Sequence, residues 1–286
     1  MAGRMQALQG AAGRLLPMTT RRRRAQTSAA IPPGVTGPDL TPVSTDVGDL
    51  WFPADDQVML PFLKTNGTWE PDEGSLLESL ARPGCRFLDI GANVGYFSLF
   101  MAKRVRGAVI DCVEPNPLLI DLLRLNLWAA GVDAEVWPLA LGNRSGALAL
   151  ETAPTNYGDG RVLESQAGMV CRSVVPVAAG DEIFAGRTFD LIKVDVQGSE
   201  LSVLTGLRNV IGQSPGAHIV TEFWPTAIVE RGDDPLRTLA AYRGFGWTIS
   251  VSVAGRLLPA SDREILGICQ SGGRNGQVNL LLYAGT

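Results

Sequence analysis

Cysteine, histidine and long apolar runs are scarce in this chain of 286 residues. Its four cysteines, Cys85, Cys112, Cys171 and Cys269, lie far apart and include no CxxC pair, so neither a disulfide framework nor a zinc site is indicated. No uninterrupted apolar run reaches the ~18 residues that a membrane-spanning helix needs. We therefore predict free thiols, no membrane span and a cytoplasmic location.

Charged residues are also few, at 19% of the chain, while hydrophobic residues make up 45%. This composition is globular and excludes a mostly disordered chain. Acidic residues are absent from residues 1–30, which hold six arginines, so residues 31–286 contain 19 basic against 29 acidic residues. The excess of acidic residues in residues 31–286, here called the acidic body, argues against binding along a nucleic-acid backbone. We therefore expect no nucleic-acid partner.

The first part of the chain, residues 1–40, has no apolar period that would support a long helix. It carries the basic run Arg21 to Arg24, followed by a stretch rich in Ser, Ala, Pro and Gly. We interpret it as a disordered basic tail. A transit peptide is the alternative, and a patch for anionic membranes or nucleic acids is a third interpretation.

Two further parts follow this tail. Residues 41–85 are predicted as a hairpin within residues 49–63 and a short helix over residues 75–80. Residues 86–286 form the main domain, which alternates apolar strands with helices. Within it, residues 142–178 are rich in turn-forming residues, and we interpret them as an inserted hairpin or lid.

The main domain repeats the pattern of strand followed by helix. Its predicted core strands cover residues 86–90, 108–113, 135–139, 189–195 and 217–223, and its predicted terminal strands cover residues 247–253 and 278–283. This alternation predicts an α/β fold with a Rossmann-like, doubly wound sheet that is mostly parallel and has an antiparallel C-terminal strand. Ligands of such sheets bind outside the carboxyl ends of the strands.

A glycine turn follows the first core strand. Gly91 and Gly95 let the backbone approach a ligand closely, and Asp89 is expected to face that ligand as an anion. A dinucleotide loop of the GxGxxG type is absent, because Asn93 takes the place of the middle glycine. A ligand with an ammonium or sulfonium charge is therefore favoured over a pyrophosphate. An ordinary strand–turn–helix corner remains the alternative.

Charged residues end three other core strands. Glu114 ends the second strand, where a carboxylate can accept hydrogen bonds from both ribose hydroxyls of a nucleoside, or can simply stabilise the start of a helix. Strand alternation places Lys193 and Asp195 on one face of the fourth strand, and Glu222 ends the fifth. A functional cluster is favoured over a Lys–Asp pair at the edge of the core. The single histidine, His218, starts the fifth strand and is predicted to be structural.

Several motifs in order carry a resemblance. The motifs are Gly67-Thr-Trp-Glu-Pro71, Phe87-Leu-Asp-Ile-Gly-Ala-Asn-Val-Gly-Tyr-Phe-Ser98, Val113-Glu-Pro-Asn-Pro117, Ala140-Leu-Gly-Asn143, Asn156-Tyr-Gly-Asp159 and Asp190-Leu-Ile-Lys-Val-Asp-Val-Gln-Gly-Ser-Glu200. From about residue 49 to residue 283 the sequence resembles the FkbM family of S-adenosylmethionine-dependent methyltransferases. The resemblance implies the class I methyltransferase fold and S-adenosyl-L-methionine as cofactor.

The resemblance also implies roles for residues. The methionine part of the cofactor would lie on the glycine turn with its amino group near Asp89, the ribose on Glu114 and the adenine beside Leu141, while Glu70 would close over the cofactor. The implied cofactor-binding set is Glu70, Asp89, Gly91, Ala92, Asn93, Gly95, Tyr96, Glu114, Pro115, Asn116 and Leu141. Gln197 departs from the family pattern, which often has Glu there.

The resulting hypothesis is methyl transfer to a hydroxyl of a small molecule, natural product or sugar. Asp195 is the first candidate for the base and Glu222 the second, with Lys193 orienting the acceptor oxygen or tuning Asp195. Mg²⁺ shared by Asp195 and Glu222 is an alternative that we do not expect, and no metal ligands are assigned. N-methylation, a macromolecular acceptor and a non-catalytic cofactor- or partner-binding module stay open. A nicotinamide oxidoreductase is disfavoured by the missing GxGxxG.

Overall fold

The computed structural model describes residues 18–19, 39–153, 156–163, 173–273 and 276–284. The predicted disordered tail therefore lies outside the described residues, apart from the strand β1 (Met18–Thr19) and the residues from 39 onward. Strand β1 pairs antiparallel with Glu135 and Val136. Among the residues described, no helix has both the length and the apolar character to cross a membrane.

The central sheet has nine strands within the described chain. In spatial order they are β1, β6 (Ala134–Trp137), β5 (Val109–Val113), β4 (Arg86–Ile90), β11 (Leu191–Val194), β12 (His218–Phe223), β15 (Val278–Ala284), β13 (Trp247–Val253) and β14 (Arg256–Pro259). Strands β6, β5, β4, β11 and β12 run parallel. The last strand, β15, lies antiparallel between β12 and β13. The predicted α/β fold, mostly parallel with an antiparallel C-terminal strand, is confirmed.

Helices connect these strands and cover the sheet. They are α1 (Met59–Asn66), α2 (Pro71–Leu80), α3 (Tyr96–Arg104), α4 (Pro117–Ala129), α5 (Gly180–Ile183), α6 (Glu200–Gly206), α7 (Arg208–Gly212), α8 (Pro225–Glu230), α9 (Pro235–Gly244) and α10 (Asp262–Ser271). Local chemistry sets their ends: the Asn116 side chain accepts a hydrogen bond from the Leu118 N–H, and Pro117 follows as the first residue of α4.

Strand alternation divides the core into two layers. Phe87 belongs to the apolar cluster on one face of the sheet, and its neighbour Leu88 belongs to the cluster on the other. Each fully buried side chain of this size contributes about 1.5–3 kcal/mol to folding. The sheet is thus packed against apolar side chains on both of its faces.

The hairpin of the N-terminal segment lies earlier than predicted. Strands β2 (Leu40–Thr45) and β3 (Gly48–Pro53) form it, and residues 59–66 are the helix α1 instead of a second strand. The reason is local, because one carboxylate oxygen of Asp56 accepts hydrogen bonds from the backbone N–H groups of Val58 and Leu60 and so starts a helix.

The insertion is also larger than a hairpin. Strands β7 (Ala140–Gly142), β8 (Gly146–Ala153), β9 (Asn156–Leu163) and β10 (Ser173–Ala179) form a second sheet of four strands in the order β7, β10, β8, β9. Strand β10 pairs parallel with β7 across the whole insertion. A small apolar cluster that includes Leu150, Val175 and Val177 stabilises this sheet, so the prediction of a hairpin was too simple.

Candidate functional site

One cavity of about 730 Å³ opens at the carboxyl ends of β4, β5, β11 and β12. Its glycine-turn side consists of Gly91 to Asn93 together with Glu114, Pro115 and Leu141. Its charged side consists of Lys193, Asp195, Gln197 and Glu222. Residues of the N-terminal segment and of the second sheet also line the cavity, among them Val58, Met59, Trp69, Leu148, Leu150 and Asn156. The fold therefore brings the predicted strand-end residues Glu114, Lys193, Asp195 and Glu222 to one cavity.

The backbone of the glycine turn adopts left-handed conformations. Gly91 has a φ of 82°, and an added Cβ there would clash with the backbone carbonyl oxygen of Asp195. Asn93 also adopts a left-handed φ, 52°, and its side-chain oxygen accepts the Val94 N–H at 2.7 Å. The turn thus brings bare backbone to the cavity and packs against the residue that ends the fourth core strand.

Glu114 is buried and is held by backbone groups alone. One carboxylate oxygen accepts the Asn93 N–H at 2.9 Å, and the other accepts the Asn116 N–H at 2.8 Å. Burial raises the pKa of Glu114 to about 7, although these two hydrogen bonds lower it. Each carboxylate oxygen has capacity for a further hydrogen bond, so Glu114 can hold two neighbouring hydroxyls that enter the cavity.

Asp89 lies beneath the glycine turn and does not line the cavity. Its strand position turns it toward α3, where the Ser98 hydroxyl donates to one of its oxygens at 2.6 Å, and its contact with the ligand stays a prediction. Its other carboxylate oxygen is buried and has no hydrogen-bond partner among the described residues. Burial raises the pKa of Asp89, and the Lys193 ammonium lowers it.

The predicted cofactor-binding residues otherwise fall into two groups. Those that line the cavity are Glu70, Gly91, Ala92, Asn93, Tyr96, Glu114, Pro115 and Leu141. Gly95 and Asn116 do not line it. Gly95 has a φ of 94° and precedes α3, and Asn116 caps α4, so both shape the backbone next to the cavity.

The charged side is a network of buried groups. The Lys193 ammonium lies 3.1 Å from one oxygen of Asp195 and 4.8 Å from the centre of the Phe97 ring. Lys193 is only 2% exposed, and burial by itself lowers its pKa. The carboxylates of Asp195 and Glu73 outweigh that penalty and raise the pKa of Lys193 above its ordinary value, so this lysine is charged at neutral pH.

Glu222 differs from Asp195 in its surroundings. Burial, followed by the charge of Asp195, raises the pKa of Glu222 well above its ordinary value. The Gln197 side-chain nitrogen donates to Asp195 at 2.9 Å and to Glu222 at 3.2 Å. The cavity therefore presents Asp195, paired with the Lys193 ammonium, next to a Glu222 that favours its neutral form.

Two acidic residues of this region were missed from the sequence. Glu73 of α2 is 4% exposed, and its pKa is raised well above normal by burial, while Lys193 lowers it. It shares the buried face of α2 with Leu76 and Leu77. An acidic residue at the helical spacing of buried leucines could have been recognised in the sequence as a candidate. Glu200 is buried behind Gln197 and accepts the backbone N–H groups of Val196 and Gly198.

His218 begins β12, at the end of the strand that is far from the cavity, as expected for a structural residue. Burial lowers its pKa, and so does the nearby charge of Arg82. Within the described part of the chain, no group of three or more His, Cys, Asp or Glu residues could hold a metal ion.

The strand order is that of the class I methyltransferase fold. Residues 89–242, more than half of the chain, match the family model of the methyltransferase FkbM domain. The chain belongs to the FkbM methyltransferase family.

Two curated relatives are similar to part of the chain. Methyltransferase sdnD of Sordaria araneosa is 28% identical over 153 residues, which cover 42% of this chain and 59% of the relative. Hexuronic acid methyltransferase AglP of Haloferax volcanii is 28% identical over 128 residues, which cover 43% of this chain and 50% of the relative. The chain thus spans about half the length of the curated relatives it matches.

Solved structures of methyltransferases are also similar. An S-adenosylmethionine-dependent O-methyltransferase from Thermotoga maritima aligns with a TM-score of 0.47 and 13% identity, covering 86% of this chain and 78% of that one. An O-methyltransferase from Bacillus cereus in complex with S-adenosylhomocysteine aligns with a TM-score of 0.44 and 15% identity, covering 77% of this chain and 84% of that one.

Proposed function

We propose that the protein uses S-adenosylmethionine to methylate a hydroxyl of a small molecule. The observation that carries this proposal is a cavity that joins the glycine-turn side to the charged side in a chain of the FkbM family. The first side suits the cofactor, and the second suits an acceptor whose proton must be removed. The residue roles below belong to the proposal.

The glycine-turn side fits the cofactor at three points. The unpartnered, buried oxygen of Asp89 under the turn suits the ammonium of the methionine part. The Glu114 carboxylate suits the two ribose hydroxyls. Leu141, which follows β6 and lines the cavity, suits the adenine.

The cofactor supplies an activated methyl group on a sulfonium centre. The chain itself then has to position the acceptor and accept its proton. Asp195 lines the cavity and pairs with the Lys193 ammonium, so its carboxylate is the proposed base. Lys193 fixes one oxygen of Asp195, while Glu222 borders the same space. Positioning of two reactants in this manner supplies effective molarities of about 10⁵ M or more.

The acceptor is proposed to be a small molecule of the sugar or natural-product kind. The enclosing wall from residues 41–85 and from the second sheet supports a small acceptor, because it limits the volume beyond the cofactor. The relative AglP, described as a hexuronic acid methyltransferase, supports a sugar. The acidic body supports the absence of a nucleic-acid partner, and three buried free cysteines support a reducing, cytoplasmic location.

Calorimetric titration with S-adenosylmethionine tests the proposal. We expect micromolar binding that weakens about 10- to 100-fold in Glu114→Ala, because hydrogen bonds to a charged group contribute about 1.5–3 kcal/mol. Glu78→Ala is the matched control, since this exposed glutamate of α2 lies outside the cavity.

Binding that is equal in the wild type and in Glu114→Ala would contradict the proposed role of the ribose carboxylate. Absence of S-adenosylmethionine binding together with tight NADH binding would instead revive the oxidoreductase hypothesis. Methyl transfer to any acceptor in a panel of sugars, polyols and phenols would exclude the non-catalytic module.

A further inference from the structure

Gln197 connects the two carboxyl groups of the charged side. Its side-chain nitrogen donates to one oxygen of Asp195 at 2.9 Å and to one oxygen of Glu222 at 3.2 Å. The second oxygen of Asp195 contacts the Lys193 ammonium at 3.1 Å. Both oxygens of the proposed base are therefore fixed, one by a cation and one by an amide.

The backbone at Gln197 adopts a strained conformation that orients this side chain. Gln197 has a φ of 57°, a left-handed conformation that costs a non-glycine residue about 1–2 kcal/mol. The following residue, Gly198, has a φ of 97°, and an added Cβ there would clash with the backbone of Ala227.

Glu200 stabilises the backbone on either side of Gln197. One of its carboxylate oxygens accepts the Val196 N–H at 3.2 Å and the Gly198 N–H at 3.0 Å. The strained residue is thus held by hydrogen bonds on both of its neighbours. A strained residue that is held by several hydrogen bonds on its neighbours is typical of a position whose orientation matters for a functional site.

The position of the amide nitrogen is one that a cation could occupy. Two carboxylates that converge on a single point are a usual arrangement for Mg²⁺ or Mn²⁺, which prefer oxygen ligands. In this chain an uncharged N–H donor lies at that point and makes one hydrogen bond to each carboxyl group.

We propose that Gln197 is a positioning residue whose amide joins Asp195 and Glu222 in place of a bridging divalent cation. The inference rests on the proposed function, because it assigns a role toward the acceptor side of the same cavity. It implies that the orientation of Asp195 needs no metal, and that a carboxylate at position 197 would complete a cation site.

The test is Mn²⁺ binding by the full chain, measured by calorimetry and by electron paramagnetic resonance. Gln197→Glu should bind Mn²⁺ at least tenfold more tightly than the wild type, with the spectrum of a protein-bound ion. Gln213→Glu, which adds the same charge at an exposed position away from the cavity, should behave like the wild type. The double variant Gln197→Glu with Glu222→Gln should lose most of the gain.

Two results would overturn the inference. One is a folded Gln197→Glu protein with no gain in Mn²⁺ affinity, since the two carboxyl groups would then not converge on residue 197. The other is a wild type that binds Mn²⁺ as tightly as the variant, since the amide would then not take the place of the cation.

S-adenosylmethionine titration of the same samples separates this inference from the proposed function. The cofactor affinity should change less than threefold between the wild type and Gln197→Glu. If neither protein bound the cofactor while Gln197→Glu gained Mn²⁺, the proposed function would fail and the role of Gln197 as the connecting group would stand. If both bound the cofactor without a gain in Mn²⁺ affinity, only the inference would fail.

Discussion

The two sides of the cavity are built in different ways. On the glycine-turn side, Glu114 is held by two backbone N–H groups, and Gly91 contributes bare backbone. On the charged side, contacts run between side chains, from Lys193 through Asp195 to Gln197 and Glu222. A backbone-built side suits one constant ligand, whereas a side built from side chains can be adapted to a particular acceptor. This contrast predicts that substitutions on the two sides change different measured properties of the protein.

The largest effect is expected at the contact between the two sides. Gly91→Ala forces a Cβ against the Asp195 carbonyl oxygen at a φ of 82°, so we expect a loss of more than about 4 kcal/mol in unfolding free energy, or no folded protein. Gly131→Ala is the control, because its φ is 67° but an added Cβ meets nothing within 4 Å. Its cost should be about 1–2 kcal/mol. Equal urea stability of the two variants would refute the close contact.

A strong effect is also expected from removal of the buried cation on the charged side. Lys193→Met leaves Asp195 and its acidic neighbours uncompensated, which should cost about 3–5 kcal/mol of unfolding free energy at pH 7. The loss should shrink at pH 5, because protonation removes the uncompensated charge. Urea unfolding at both pH values measures it, with exposed Lys64→Met as control. A loss that is independent of pH would point to packing alone.

A purely kinetic effect is expected for the proposed base. Asp195→Asn should lower methyl transfer by about 10²–10⁴-fold, while the affinity for S-adenosylmethionine stays within threefold. The comparison uses any acceptor that the wild type methylates and Asp72→Asn, an exposed residue of α2, as control. Full activity of Asp195→Asn would move the role of base to another residue.

The smallest effect concerns pH and Glu200. Burial raises the pKa of Glu200 to about 7 in the folded protein, above the ordinary value of 4.5. The folded state therefore binds more protons than the unfolded state between these values, so this residue makes stability fall as pH rises from about 4.5 to 7. Relative to Glu200→Gln, the wild type should lose about 1–3 kcal/mol between pH 5 and pH 8. An exposed control, Glu78→Gln, should show no such difference.

The parts of the fold and the site that local sequence determines were predictable. Gly91 and Gly95 signal a turn by their own conformational freedom, and Glu114 is identified by its place at the end of an apolar strand. The helix start at Asn116 and Pro117 is equally local. These features require no knowledge of distant residues, which explains why the glycine-turn side was predicted in most of its members.

The parts that depend on distant contacts were not predictable in the same way. Glu73 reaches the neighbourhood of Lys193 only because α2 packs beside the sheet, and the parallel pairing of β10 with β7 joins residues far apart in sequence. The link from Gln197 to Glu222 depends on a left-handed φ that is unusual for glutamine. The hydrogen bond from Ser98 to Asp89 was not predictable either, because it depends on how α3 packs against the strand.

A crystal structure of the protein with S-adenosylhomocysteine tests the central claim most directly, because it shows which side of the cavity holds which part of the cofactor. We predict both ribose hydroxyls within about 2.6–3.2 Å of the Glu114 carboxylate and the sulfur directed toward Asp195. A ligand that binds elsewhere, or whose ribose does not contact Glu114, would contradict the assignment of the glycine-turn side to the cofactor.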